Sequence, residues 1–293
     1  MAAHAVSSAL QWYPAPGKLN LFLHVLGRRA DGYHELQTVF RLIEHADRVG
    51  IELRADGELA RADALPGVPP EDDLCLRAAR SLKDVALVHL GPAARRLGAD
   101  IALDKRLPIG GGLGGGSSDA ATVLLVLNRL WELHLARDEL LALGARLGAD
   151  VPVFVFGENA LGEGIGERLR ELALPPAWYL VLVPQLSVST REIFADAALT
   201  RGTKPLKLPP FFSGQGHNDL EPVVTRRYPE IAAHLAWLRE HGADARLTGS
   251  GACVFAEFGA EAGARELGAR LPSAMRGFVT RGLERHPLRD WAA

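Results

Sequence analysis

Residues 108–121 read PIGGGLGGGSSDAA, with six glycines in the seven positions 110–116. Ordering such a run is costly, since glycine loses more backbone freedom on folding than any other residue. Regular structure flanks it on both sides. ADIALDKRLP alternates as a strand and delivers the chain to the glycines. SSDAATVLLVLNRLWEL then reads as a helix, capped by Ser117, Ser118 or Asp119. The fold must accommodate a strand, a bare-backbone loop and a helix in direct succession.

Three uses of such a loop fit poorly. Gly110, Gly112 and Gly115 satisfy G-x-G-x-x-G, but a dinucleotide site needs a strand after the helix with an acidic residue at its end, and a second helix follows here. A phosphate loop of the Walker type needs Lys-Ser or Lys-Thr, and Gly116-Ser117-Ser118 supplies no lysine. A flexible linker would not join a regular strand to a capped amphipathic helix. What remains is a polyphosphate cradle. Backbone N–H groups at a helix start converge on one point, and the helix dipole there favours negative charge. Ser117 and Ser118 add hydroxyls, and Leu113 reads as the packing anchor of the loop.

The rest of the chain follows an α+β order. PGKLNLFLHVL (16–26) alternates, with Leu19, Leu21, Leu23 and Val25 on one face and Lys18, Asn20, Phe22 and His24 on the other. Asp31-Gly32 marks a hairpin turn before a second strand, DRVGIELR reads as a third, and LPGVPPEDD as a loop. Asp72 or Asp73 can cap the helix that follows, and ARDELLALGARLG is a helix ending at Gly148. Past residue 178 come the strand YLVLVP, a helix with Ser189 and Glu192 in capping-box spacing, and the helix PEIAAHLAWLREHG. Two short strands around TGSG, a helix and a last strand complete the chain. Setting the helix at 229–242 aside, this is a split β-α-β-β-α-β order. A boundary near residue 172, before Pro175-Pro176, divides the chain into 1–172 and 173–293.

Composition restricts partners more than it defines function. A net charge of -2 argues against general affinity for nucleic acid or an anionic membrane. The N-terminal stretch lacks the basic and apolar regions of a signal peptide, and no run approaches the ~18 apolar residues of a membrane span. Cys75 and Cys253 have no metal-ligand spacing and are expected to be buried thiols in a reducing cytosol. The expectation is a cytoplasmic globular protein, a monomer or weak homodimer.

Two charged residues complete a chemical constellation. Asp150, in LGADVPVF, lies just past a helix end, where the dipole disfavours a carboxylate, so it is either a turn residue or a catalytic group. Lys18 shares a strand face with Asn20 and is either solvated or catalytic. A cradle for phosphates, a lysine for charge and a carboxylate for a hydroxyl are what phosphoryl transfer requires, because its loose transition state needs positioning and electrostatics. A carboxylate beside Lys18 is a poor base, which favours hydroxyl orientation with late proton uptake.

With these motifs in view, the sequence resembles the GHMP kinase superfamily. Three stretches carry the resemblance: PAPGKLNLFLHVLGRRADGYHELQTVF (14–40), KRLPIGGGLGGGSSDAATVLLVLN (105–128) and LTGSGACVF (247–255). The resemblance implies a two-domain α+β fold, with an N-terminal mixed ATP-binding domain and a C-terminal ferredoxin-like domain. It implies ATP on Pro108, Ile109, Gly110, Gly111, Gly112, Leu113, Gly114, Gly115, Gly116, Ser117 and Ser118, accompanied by Mg2+ whose protein ligands the motifs do not name. It further implies Lys18 and Asp150 as the catalytic pair. RRADGYH is similar to the members that phosphorylate the 2-hydroxyl of 4-diphosphocytidyl-2-C-methyl-D-erythritol in non-mevalonate isoprenoid synthesis. On that basis Tyr33 and His34 hold cytidine, and Asn20, Thr190 and Phe194 line the substrate pocket. Residues 72–74 read DDL where the family more often has DNL, which puts an amide role at position 73 in doubt. Two rivals stand beside this: a relative acting on homoserine or mevalonate, which has no use for Tyr33-His34, and a regulator that has lost turnover, against which the joint presence of Lys18 and Asp150 argues.

Overall fold

A computed structural model of the chain describes residues 10–63, 69–207 and 216–292. The first four residues of LPGVPPEDD (65–68) and the first nine of the N-terminal stretch read for a signal peptide lie outside them.

The first sheet is organised by two long strands, β1 (Gln11–Arg28) and β2 (His34–Arg54), paired antiparallel. The second half of β2 also pairs with β4 (Gly98–Asp104), which carries the short β3 (Leu59–Arg61), while its first half pairs with β5 (Ala160–Gly164) and through it β6 (Arg168–Glu171). The expected second strand and the expected third, DRVGIELR, are thus one. The polar start of DRVGIELR is compensated at a distance: the Asp47 carboxylate, fully buried, accepts the backbone N–H groups of Arg106 and Leu107, at 2.5 and 2.7 Å. Helices α1 (Leu74–Leu90), α2 (Gly115–Leu130), α3 (Arg137–Leu147) and α4 (Val151–Phe156) pack with this sheet in the first core. Asp73, not Asp72, caps α1, accepting from the N–H groups of Cys75 and Leu76. The carboxylate at the position in doubt therefore has a structural task.

The second sheet runs β10–β7–β9–β8, all antiparallel, from β7 (Trp178–Leu182), β8 (Ala245–Leu247), β9 (Val254–Phe258) and β10 (Gly277–Arg281). That is the strand order of a split β-α-β unit, with one revision. The first crossover helix is α7 (Pro229–Glu240), which packs on β8 and β9, rather than α5 (Thr190–Ala195). Ile231, Leu235 and Leu238 of α7 share a core with Leu180, Leu182, Leu247 and Val254. The short α6 (Glu221–Arg227) leads into α7, and α8 (Glu261–Gly268) makes the second crossover.

β7 alternates between two cores. Leu180 and Leu182 face the helices, whereas Tyr179 and Val181 join Leu19, Leu21, Phe22 and Ile43 of the long strands. This is why the 16–26 alternation does not leave one face in water: β1 is buried from Ala15 to Val25. Residues 282–292 return to the first core, where Leu288 and Ala292 are buried. No helix of the described residues is long and apolar enough to cross a membrane.

Candidate active site

The glycine loop is held from both sides by backbone. Lys18 N–H donates to the Leu113 carbonyl at 2.9 Å, and the N–H groups of Ala252 and Cys253 donate to the carbonyls of Gly110 and Gly111 at 3.3 and 3.0 Å. Leu113 is buried and anchors the loop as expected. Bare backbone is required by this clamp. A Cβ on Gly112 would stand 2.3 Å from the Thr248 carbonyl oxygen, and its φ of +77° is left-handed. A Cβ on Gly114, with φ +73°, would meet the Phe154 ring at 2.9 Å and Lys18 Cε at 3.2 Å. The TGSG motif is thus the second wall of the glycine loop.

Gly114 itself precedes α2, and no side chain caps the helix. The serines and Asp119 fall within its first turns, a correction to the expected caps. Local preference would have favoured Ser117, but the close approach of Phe154 and Lys18 selects glycine at the entry. Ser117 lies on the pocket wall, whereas Ser118 is fully buried.

Three connected cavities follow the chain of expected residues. The first, about 560 Å³, is lined by Pro108, Ile109, the loop glycines 110–112 and 114–116, Ser117, Lys105 and Asp119. It shares Gly110, Gly112 and Ser117 with the second, about 300 Å³, whose walls include Lys18, Asn20, Asp150, Thr190, Phe194 and Ser250. The third, about 550 Å³, shares Thr190 and Phe194 with the second and adds Tyr33 and His34.

The middle cavity carries the charge pair. Lys18 is 2% exposed; its Nζ donates to Asn20 Oδ1 at 2.6 Å and lies 3.2 Å from Asp150 Oδ2. Register shifts in β1 occur between Pro16 and Lys18 and between Asn20 and Leu23. Such irregularities re-aim side chains, and here they flank both polar residues. Asn20 is fixed in turn: its amide nitrogen donates to Thr38 Oγ1 at 2.9 Å, and its backbone N–H to Thr248 Oγ1 at 3.0 Å. Asp150 stands between the end of α3 and the start of α4, so the dipole of α3 is not its only neighbour. It is more than a third exposed and reaches the cavity from its rim.

Below the glycine loop lies a cluster that no local pattern announces. Lys105 Nζ bridges Asp47 and Asp119, with Asp119 Oδ2 at 2.7 Å. Burial pushes the Asp119 carboxyl up to about 7, against the pull of Lys105. Burial opposes the charge on Lys105, but Asp119 and Asp47 outweigh it and raise its pKa. Asp119 Oδ1 is buried without a hydrogen-bond partner.

At the far end, His34 is 8% exposed and packs against Phe194 with ring centroids 5.1 Å apart, while Tyr33 is 60% exposed. Burial, then Arg201 and Arg28, lower the His34 pKa. Its Nε2 accepts from Arg201 Nε at 3.0 Å, and the same guanidinium donates to the carbonyls of Phe194, Asp196 and Leu199. Arg201 therefore ties the histidine to α5. Thr190 Oγ1 and Ser250 Oγ, 2.7 Å apart, join α5 to the TGSG motif. Neither Arg201 nor Ser250 stands out in the sequence; LTGSGACVF marks the segment without assigning its side chains.

Comparison with known proteins gives a consistent result. Residues 73–158 match the family model of the GHMP kinases N terminal domain, and residues 211–277 that of the GHMP kinases C terminal. A protein of Nitrosospira multiformis named 4-diphosphocytidyl-2-C-methyl-D-erythritol kinase is 60% identical, covering 95% of this chain and 93% of its own. One of the same name from Thiobacillus denitrificans is also 60% identical, covering 96% and 98%. A crystal structure of 4-(cytidine 5'-diphospho)-2C-methyl-D-erythritol kinase superposes with a TM-score of 0.76 at 34% identity, over 93% of this chain and all of that one. The homoserine kinase of Cytophaga hutchinsonii, at TM-score 0.68 and 16% identity, shares the fold.

Proposed function

The chain belongs to the GHMP kinase family, and from that premise we propose that it transfers the γ-phosphoryl group of ATP to the 2-hydroxyl of 4-diphosphocytidyl-2-C-methyl-D-erythritol, a step of non-mevalonate isoprenoid synthesis. The observation that carries this reading is the succession of three joined cavities, with Lys18 and Asp150 between the glycine loop and the Tyr33–His34 end. A nucleotide at one end and a cytidine at the other bring the triphosphate and the alcohol together at that pair.

ATP lies on Pro108–Ser118, its phosphates against the N–H groups of the loop and the start of α2. Lys18 places positive charge beside the transferring group, where charge spreads over the equatorial oxygens in the transition state. Asp150 accepts the hydrogen bond of the attacking hydroxyl and aims it, taking the proton late as the new P–O bond forms. Asn20 holds Lys18 Nζ in place through a buried hydrogen bond. At the cytidine end, Tyr33 and Phe194 offer ring faces and His34 polar contacts; burial, then Arg201, lowers the His34 pKa, and the Arg201 hydrogen bond orients the ring.

Mg2+ supplies charge neutralisation between the phosphates when bound. No group of three or more acidic, histidine or cysteine side chains that could hold a metal ion occurs among the described residues. Asp119, on the nucleotide wall with Oδ1 unpartnered, and Ser117 are the residues that would hold it. We further propose a division into units near residue 172, a cytoplasmic location consistent with two buried free cysteines, and action as a monomer or weak homodimer on a small-molecule substrate.

The test is ADP release from Mg-ATP with the cytidine alcohol, with mevalonate and homoserine in parallel. Release with the cytidine compound alone is expected. Turnover of mevalonate or homoserine instead would reject the assignment of Tyr33 and His34, and ATP binding without any turnover would leave a regulator.

A further inference from the structure

The proposed substrate has a charged middle. Between the cytidine and the acceptor hydroxyl stand two phosphates, each with one ionised oxygen, so an occupant that fills the third cavity and reaches Asp150 must pass a dianion across the junction. That junction is formed by Leu36, Ala149, Ile165, Thr190 and Phe194, the residues common to the second and third cavities, and it offers no cationic side chain of its own. Lys18 lies on the Asp150 side and is already engaged with Asn20 and Asp150. The positive charge available to the diphosphate must come from elsewhere.

Two guanidinium groups line the third cavity: Arg28, the last residue of β1, and Arg191, in the first turn of α5. Neither has a carboxylate partner among the described residues, whereas their neighbours do. Arg29 pairs with Asp31 and Glu35, and Arg227 with Asp196 and Glu192. Arg201, also nearby, spends its donors on His34 and three carbonyls. Arg28 and Arg191 thus bring two uncompensated charges to one cavity from opposite elements. Arg28 is close enough to His34 to help lower its pKa.

We propose that Arg28 and Arg191 form a clamp for the diphosphate of the alcohol substrate, and so set the preference for a nucleoside diphosphate conjugate over a neutral nucleoside. The inference rests on the cytidine-alcohol reading of the preceding subsection. A guanidinium presents paired N–H donors that match phosphate oxygens, which a lysine does not reproduce. Both residues are exposed and line the third cavity, and neither lines the glycine-loop cavity. They act on the alcohol and not on ATP.

Arg28→Ala, Arg191→Ala and the double variant test this, with Arg191→Lys as the conservative change. Each single alanine variant should raise KM for the cytidine alcohol about tenfold, the weight of one hydrogen bond to a charged group, while KM for ATP stays near that of the parent. Titration with cytidine and with CDP separates the phosphates from the base: the parent should bind CDP more tightly than cytidine, and the double variant should lose that difference. Arg191→Lys should recover part of the CDP preference. Rising ionic strength should weaken CDP binding in the parent more than in the double variant. An unchanged CDP-to-cytidine ratio in the double variant overturns the clamp while leaving the kinase reading intact. A parent protein that phosphorylates no cytidine alcohol removes the reading first.

Discussion

Replacing Asp150 by asparagine separates the chemical role of this residue from its part in stability. The two sides of the Lys18–Asp150 pair are unequal: the lysine side chain is 3% exposed and the aspartate 37%. Breaking a fully buried pair on one side costs ~3–5 kcal/mol, and an exposed one below ~1 kcal/mol. Water reaches Asp150, and Asn20 Oδ1 still accepts from Lys18 Nζ, so the loss should be about 1–2 kcal/mol. For a chain of this size that lowers Tm by roughly 2–3 °C. The chemical loss is larger. Asparagine keeps the shape but cannot take the hydroxyl proton, and a positioned acid–base group contributes ~10²–10⁴ in rate. Steady-state ADP release should therefore fall by at least about a hundredfold in kcat, with ATP affinity by equilibrium titration near the parent value, because Asp150 is absent from the nucleotide cavity. A kcat within about tenfold of the parent in a folded preparation would refute the reasoning, since so small a change is below what orientation and proton uptake together supply.

Three further outcomes follow from the same geometry. Gly112→Ala places a methyl 2.3 Å from the Thr248 carbonyl in a left-handed backbone; the wall cannot yield without moving the TGSG segment, so ATP affinity should fall more than tenfold, measured by titration alongside circular dichroism. Asp119 titrates near 7 in the fold and near 3.8 when unfolded; an acid whose folded pKa is the higher one takes stability away as pH rises between the two values, so Asp119→Asn should flatten the decline in Tm from pH 4 to pH 7. Equal pH profiles for variant and parent would contradict the burial argument. Tyr33→Ala removes a ring that is 60% exposed, so Tm should hold while KM for the cytidine alcohol rises and KM for ATP does not; an equal rise in both would count against the stacking role.

Much of the site is legible along the chain because its parts are local. The glycine run, its strand and its helix are contiguous, and bare backbone before a helix has few uses other than anions. Leu113 is recognisable as an anchor because it interrupts six glycines. The helix entry departs from the expected serine cap for a tertiary reason. Serine is the better local cap, but Phe154 and Lys18 approach Gly114 too closely for any side chain. The separation of DRVGIELR from the strand before it fails similarly: nothing adjacent in sequence announces that Arg106 and Leu107 donate to Asp47 and so let one strand run through it.

The sequence by itself determined the glycine loop between its strand and helix, the candidate pair Lys18 and Asp150, and the α+β order, since each depends on residue type and near spacing. Only the tertiary structure decided that Lys18 is buried rather than solvated, that α7 rather than α5 covers the second sheet, and that Asp47, Lys105 and Asp119 share one buried cluster. The physical reason is common to all three. Burial, helix choice and charge compensation are properties of which distant segments come into contact, and a periodicity read along one strand carries no record of what will cover its other face.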